Sequence, residues 1–138
     1  VYHFITPEKF QDMIKQDKFL EYQKVHNSAY YGSGKDQIMH KLQQQHLIRE
    51  FDIQGAIAIK ESLKDQVVSI FIAVNNWETL EKRIKNRSPI SETELAKRKK
   101  SYEKEMLFAK KCDYTVYSYE GNIKRTTEEI TDIINKYI

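Results

Sequence analysis

Cysteine occurs once in the 138 residues, at Cys112, so no disulfide can close within the chain. No grouping of this cysteine with His3, His26, His40 or His46 has the spacing of a zinc site. Proline appears twice and glycine four times, too seldom for a collagenous, low-complexity or linker-dominated chain. No apolar run approaches the ~20 residues of a membrane-spanning helix, and the first residues show no secretory signal pattern. Charge of one sign is scarce as well: 23 Lys and Arg face 20 Asp and Glu, a net +3. That excess is too small to argue for nucleic acid by itself. What is present is 40% hydrophobic and 31% charged residues, enough for a packed core in one domain. The expectation is a soluble, cytoplasmic, single globular domain.

The chain opens on Val1 rather than Met, and Val1-Tyr2-His3-Phe4 already reads as extended, so these residues are expected to be a piece of something longer. Thr6-Pro7-Glu8 is a helix start, with Thr as N-cap, Pro at the first helical position and an acid in the first turn. Phe10, Met13 and Ile14 follow at i, i+3 and i+4 of a short amphipathic helix ending near Asp17. Residues 19–25 alternate as a strand, with Phe19, Glu21 and Gln23 on one face and Leu20 and Tyr22 on the other. Asn27-Ser28 is turn chemistry, and Ala29-Tyr30-Tyr31 returns, completing an antiparallel hairpin. Lys35 to Gln45 reads as a helix through Ile38, Met39 and Leu42.

Beyond that the pattern alternates. Residues 47–52 are expected as a strand, 55–63 as a helix, and 67–74 as a strand buried on both faces, as in a parallel sheet. Helices follow over 77–84 and 92–109, a strand over 114–119, and a closing helix over 126–138 with Ile130, Ile133, Ile134 and Tyr137 at helical spacing. The order implies an α/β fold with a mainly parallel sheet. Between Glu81 and Lys111 eleven Lys and Arg stand against five Asp and Glu. Such a run is a solvated helical face by default and an anion-binding flap if phosphate chemistry lies nearby.

Several short motifs occur in one order: Tyr2-His3-Phe4, Phe19-Leu20-Glu21-Tyr22, Tyr30-Tyr31-Gly32-Ser33, Asp52-Ile53-Gln54-Gly55-Ala56, Arg83-Ile84-Lys85-Asn86-Arg87, Lys97-Arg98 and Cys112-Asp113-Tyr114. Each is weak alone; the ordered set, spanning essentially the whole chain, resembles the guanylate kinases, ATP:GMP phosphotransferases of the P-loop nucleoside-monophosphate kinase group. The resemblance implies a P-loop kinase-like, mainly parallel sheet flanked by helices, with an inserted antiparallel GMP-binding hairpin region and a helical lid. Residues 1–34 would then be the GMP-binding region, 35–80 core, 81–109 the lid with its flanking helices, and 110–138 core. The family's P-loop has no counterpart here. Gly32-Ser33-Gly34-Lys35 is an accidental likeness, because the G-x-x-x-x-G-K-[ST] spacing would demand Gly at Ala29 and Ser or Thr at Asp36.

The resemblance assigns Glu21 as the carboxylate that reads guanine, with Ser33 and Asp52 as further base contacts and Tyr2 and Tyr31 as the hydroxyls that hold the GMP phosphate. Chemistry supports the first of these independently. Guanine presents N1–H and N2–H₂ side by side, and a carboxylate accepts from both, whereas adenine's N1 would leave it unpaired. A site of this kind can discriminate by ~10⁴ or more. Ser33 could reach O6 or a nearby ring atom. Asp52 ends a predicted strand, where α/β sheets bind ligands, and equally reads as the N-cap before Gln54-Gly55; the two roles are compatible. Glu50 matches an acid linked to the metal–phosphate region. Taken singly, Glu21 would be an exposed strand carboxylate and each of nine tyrosines a packing residue; the motifs shift the balance.

Arg83, Arg87 and Arg98 match the lid arginines that stabilise charge on the transferred phosphoryl group, and so stand as the catalytic candidates. Mg²⁺ is expected with ATP, and no residue of this chain is assigned as a metal ligand. The partners implied are GMP and ATP, with neither nucleic acid nor a membrane. There are departures from the family pattern. Val74-Asn75-Asn76 stands where a Pro pair is usual, Ser88-Pro89 follows the second lid arginine where the family often has Gly, Tyr119-Glu120 replaces an Asn-Asp pair, and Arg49 lies in a strand that normally reads apolar. The spacing from Glu21 to Tyr31 is one residue longer than usual. Two other readings compete with kinase chemistry. One is a non-catalytic guanylate-kinase-like module that binds phosphorylated peptides. The other is a basic nucleic-acid binder using residues 81–111, whose aromatics are not interleaved with the charge as a stacking platform.

Overall fold

The computed structural model describes residues 3–25 and 29–138, and the backbone of Val25 without its side chain. The chain divides into two compact units, residues 1–67 and 68–138.

In the first unit, helix α1 (Pro7–Lys15) starts where the cap chemistry places it, with the Thr6 side chain accepting from the Lys9 N–H and Pro at the first turn. Strands β1 (Phe19–Val25) and β2 (Ala29–Gly34) form an antiparallel hairpin. Glu21 pairs with Ser33, Gln23 with Tyr31, Tyr22 with Gly32 and Lys24 with Tyr30. Cross-strand partners share a face, so Glu21, Gln23, Tyr31 and Ser33 line one side. A bulge between Phe19 and Glu21 puts two residues of β1 opposite one step of β2. The simple alternation that placed Phe19 beside Glu21 is thereby corrected. The Phe19 ring lies 6.1 Å from Tyr22 and stacks on Phe10 at 4.3 Å. Phe10 also meets Tyr30 at 5.3 Å. The non-polar face of the hairpin is thus covered by α1, with Phe10 and Phe19 buried there; Leu20, at the bulge, is buried as well.

Glycine at position 32 is required by this packing. A Cβ there would sit 2.9 Å from both the Glu21 carbonyl oxygen and Phe19 Cδ1. Helix α2 (Lys35–Leu42) follows directly on β2, three residues shorter than its pattern suggested.

Residues 46–52 carry no regular structure, which corrects the strand expected at 47–52. An extended segment becomes a strand when a neighbour takes its backbone hydrogen bonds. Among the described residues no strand does so, and Ile48 stays 77% exposed. Helix α3 (Ile53–Leu63) begins two residues before Gly55 because Asp52 caps it, accepting from the Gly55 N–H at 2.8 Å. It packs along β1 and ends in a 3₁₀ turn at Lys64–Gln66.

In the second unit, β3 (Ile70–Ala73) and β4 (Tyr114–Tyr117) pair in parallel, Ile70 opposite Tyr114 and Ala73 opposite Tyr117. The pair is clasped at its start by Asp113, whose Oδ2 accepts from the Ser69 N–H at 2.8 Å and the Ser69 hydroxyl at 2.6 Å. Helices α4 (Trp77–Arg87) and α5 (Glu92–Ala109) start at Asn76 and Ser91, each side chain accepting from the N–H three residues on. Helix α6 (Ile123–Ile134) is capped by Asn122 and so starts three residues before Thr126. Thr126 is buried inside it, its hydroxyl donating to the Tyr117 carbonyl at 3.0 Å. Ala73, Ala109, Val116 and Ile133 form the buried apolar centre of this unit.

Candidate functional site

The polar face of the hairpin gathers the base-reading candidates of the first unit. Ser33 is 2% exposed, and its hydroxyl donates to Glu21 Oε1 at 2.6 Å. A short contact of this kind, with a hydroxyl on a carboxylate, is charge-assisted. Gln23, two residues along the same strand, donates its amide N–H to Asp52 Oδ2. The other carboxylate oxygen of Asp52 caps α3, so this one residue ties the hairpin face to the start of the helix. Tyr31 lies across from Gln23 and is 51% exposed. Glu21, Ser33 and Tyr31 therefore share one face, and Asp52 is held at it by Gln23. Tyr2 lies outside the described residues.

Two participants were not singled out as site residues by sequence. Arg49 donates from Nη1 to the Ser33 hydroxyl oxygen at 3.0 Å, and its guanidinium also lies 5.5 Å over the Phe51 ring. Its charge, at a position where the family pattern normally reads apolar, was the available signal. Gln23 was visible as the second polar residue on the face that carries Glu21. Glu50 is exposed and lies in the irregular segment before Asp52.

A surface hollow of about 340 Å³ lies elsewhere in this unit, lined by His3, Asp36, Gln37, His40 and Lys41. It contains none of the candidate residues. Concavity alone would point there; converging donors and acceptors with a buried hydroxyl point to the hairpin face.

The arginine candidates belong to the second unit. Arg83 is half-buried on α4 and is anchored twice at the end of β4, donating from Nη1 to the Ser118 hydroxyl at 3.0 Å and from Nη2 to the Ser118 carbonyl at 2.9 Å. Arg87 is the last residue of α4 and is exposed. Arg98 is exposed on α5, where its Nε lies 3.9 Å from Glu94. The expected common face of Arg83 and Arg87 thus divides into one anchored side chain and one that faces solvent. Titration along these helices follows local charge and burial. Lys85 hydrogen-bonds Glu81 at 2.5 Å and holds that carboxyl below its ordinary value. Burial pushes Glu105 upward, with Arg98 opposing. Among the described residues no three or more His, Cys, Asp or Glu side chains come together as a cation site. Nor is any helix among them long and apolar enough to cross a membrane.

The chain has relatives among known proteins. A family model for guanylate kinase matches residues 1–137. A guanylate kinase of Caldanaerobacter subterraneus is 38% identical over 134 residues, which are 96% of this chain and 63% of that protein. One from Clostridium tetani is 37% identical over 135 residues, covering 97% of this chain and 63% of its own length. This chain therefore spans a little under two thirds of these relatives. The crystal structure of a guanylate kinase from Anaplasma phagocytophilum superposes with a TM-score of 0.71 at 23% identity, over 98% of this chain and 64% of that one. The fold is accordingly the α/β, P-loop kinase-like fold of that structure. By sequence over nearly its whole length and by fold, the chain belongs to the guanylate kinase family.

Proposed function

We propose that the protein carrying this chain transfers the γ-phosphoryl group of ATP to GMP, giving ADP and GDP, and that residues 1–34 supply the GMP-binding region and 81–109 the lid with its flanking helices. The observation that carries this reading is the Glu21–Ser33 pair on the polar hairpin face, in a member of the guanylate kinase family. Glu21 accepts one hydrogen bond from Ser33 at Oε1. A carboxylate has about four acceptor positions, so Glu21 retains capacity for both guanine donors, N1–H and N2–H₂. Adenine, with an acceptor at N1, would leave that carboxylate unpaired. Asp52 is oriented by its cap and by Gln23, and each oxygen keeps a lone pair for the base. Tyr31, exposed on the same face, offers a phenol to the phosphate, as Tyr2 does in this assignment.

Phosphoryl transfer needs positive charge at the equatorial oxygens and exclusion of water. Arg87 and Arg98 present exposed guanidinium groups for that task. Arg83 has two of its donors committed to Ser118 and retains others. Magnesium enters as part of the ATP substrate, and no carboxylate of this chain is assigned to it. Nucleic acid and membranes are not partners in this reading, and the cytoplasm is its place.

The test is formation of ADP and GDP from ATP and GMP by the native protein, with GMP preferred over AMP by at least about 10³-fold, in the range a hydrogen-bonded polar site can achieve. Binding of a phosphorylated peptide that GMP does not displace, without phosphoryl transfer, would overturn it in favour of a non-catalytic module. The 138 residues contain no G-x-x-x-x-G-K-[ST] sequence. This polypeptide made as written is therefore expected to yield no GDP in the same assay.

A further inference from the structure

Ser33 is nearly inaccessible and sits between a donor and an acceptor that approach it from different parts of the first unit. A serine hydroxyl has a single proton. Arg49 can only donate, so its 3.0 Å contact occupies a lone pair of Ser33 Oγ and directs the serine proton elsewhere. The receiver is Glu21 Oε1 at 2.6 Å. Donor, relay and acceptor thus form a chain with one polarity, in which each hydrogen bond strengthens the next.

Two further features keep Arg49 in place: its guanidinium lies over the Phe51 ring at 5.5 Å, and Asp52, three residues on, is fixed at the start of α3. Residues 46–52 have no ladder to hold them, so these side-chain contacts are what registers the segment against the hairpin face.

We propose that Arg49 is a positioning residue for guanine recognition, acting through the Ser33 hydroxyl to fix the Glu21 carboxylate in the orientation that reads N1–H and N2–H₂. This rests on the guanine-reading assignment of Glu21 made above. The consequence is selectivity rather than phosphate affinity. Inosine monophosphate is the appropriate probe, because it keeps N1–H and the phosphate and lacks only the exocyclic amine.

The experiment measures dissociation constants for GMP and inosine monophosphate by calorimetry on the native protein, with Arg49→Met, Arg49→Lys, Ser33→Ala, Glu21→Gln and the Ser33→Ala/Arg49→Met pair. Removing a charged hydrogen-bond donor typically weakens the affected interaction by about tenfold. Arg49→Met is therefore expected to lower the GMP-to-inosine-monophosphate preference about tenfold, while Arg49→Lys, which still donates, keeps it within about threefold. In the Ser33→Ala background, Arg49→Met should cause no further loss, because the relay is already broken. Equal losses in both backgrounds would overturn the relay and leave a through-space charge effect. An unchanged preference in Arg49→Met, with the preference collapsed in Glu21→Gln, would overturn the role of Arg49 and leave the GMP assignment standing. No effect of Glu21→Gln would remove both. Arg49 is exposed, so the methionine variant should fold; if its thermal melt is lost, Arg49→Ala carries the same cycle.

Discussion

The two units hold their candidate residues in opposite ways. On the hairpin face the polar side chains are bound to one another before any ligand arrives: Arg49 to Ser33, Ser33 to Glu21, Gln23 to Asp52, Asp52 to the start of α3. In the second unit Arg87 and Arg98 extend into solvent, and Arg83 is tied to the backbone of its own unit. The difference matches what each proposed task demands. Reading a base requires acceptors fixed within a few tenths of an ångström, so the cost of ordering them is met by folding. Stabilising a transferring phosphoryl group requires charge that arrives with closure, and exposed arginines on helices are suited to that.

The sharpest way to break this contrast is Glu21→Gln. The substituted amide offers an N–H where guanine also donates, and selectivity for GMP over AMP is expected to fall by about 10² or more. Because Glu21 is only partly buried, the melting temperature should move little, and a large drop would instead mark Glu21 as structural.

Next is Gly32→Ala. Its methyl group would stand 2.9 Å from the Glu21 carbonyl and from Phe19, and overpacking of this kind costs about 1–3 kcal/mol. Thermal unfolding should show that loss, together with weakened GMP binding as the strand carrying Glu21 is displaced. Normal stability would mean that β1 yields easily and is not preorganised.

The second unit offers the complementary test. Arg83→Met removes two donors from Ser118 and should cost about 1–2 kcal/mol in denaturant unfolding. Arg87→Met should stay within about 0.5 kcal/mol while lowering the rate of phosphoryl transfer. Equal stability losses would erase the distinction between anchor and free arm.

The smallest effect concerns Glu105. Burial raises its carboxyl in the folded protein above its value in the unfolded chain. The native state then binds this proton more tightly, so stability from this group is present at low pH and is lost as pH rises through the raised value. Glu105→Gln should accordingly raise the melting temperature slightly at pH 7. The gain should vanish below the ordinary carboxylate value, and a gain that persists in acid would assign the effect to packing.

What was legible in sequence was what is decided locally. Thr6-Pro7, Asn76 and Ser91 sit beside the amides they cap, so helix starts followed from neighbouring residues, and α5 kept its expected bounds of Glu92–Ala109. Contacts between distant segments were not legible. Arg49 reaches Ser33 across 16 residues and Arg83 reaches Ser118 across 35; nothing in either local pattern encodes such a partner. The strand expected at 47–52 failed for a related reason, because apolar alternation states only a capacity to pair. For the site, family motifs pointed to Glu21 and Ser33, and the hydrogen bond between them is a feature of the folded hairpin that the motifs do not contain.

The bulge in β1 has a consequence for how this strand can change. Leu20 is the extra residue between the pairs Phe19–Gly34 and Glu21–Ser33, and it bends and twists β1 just before the residues that carry the polar face. Replacing Leu20 by another apolar side chain alters a volume. Deleting it would leave Phe19 opposite Gly34 and Glu21 opposite Ser33 in an unbulged ladder, so both faces would be kept while the local bend and the buried Leu20 side chain were lost. Past the bulge the strand has no such slack: one residue gained or lost between Glu21 and Gln23 would turn Gln23 to the opposite side and away from Asp52.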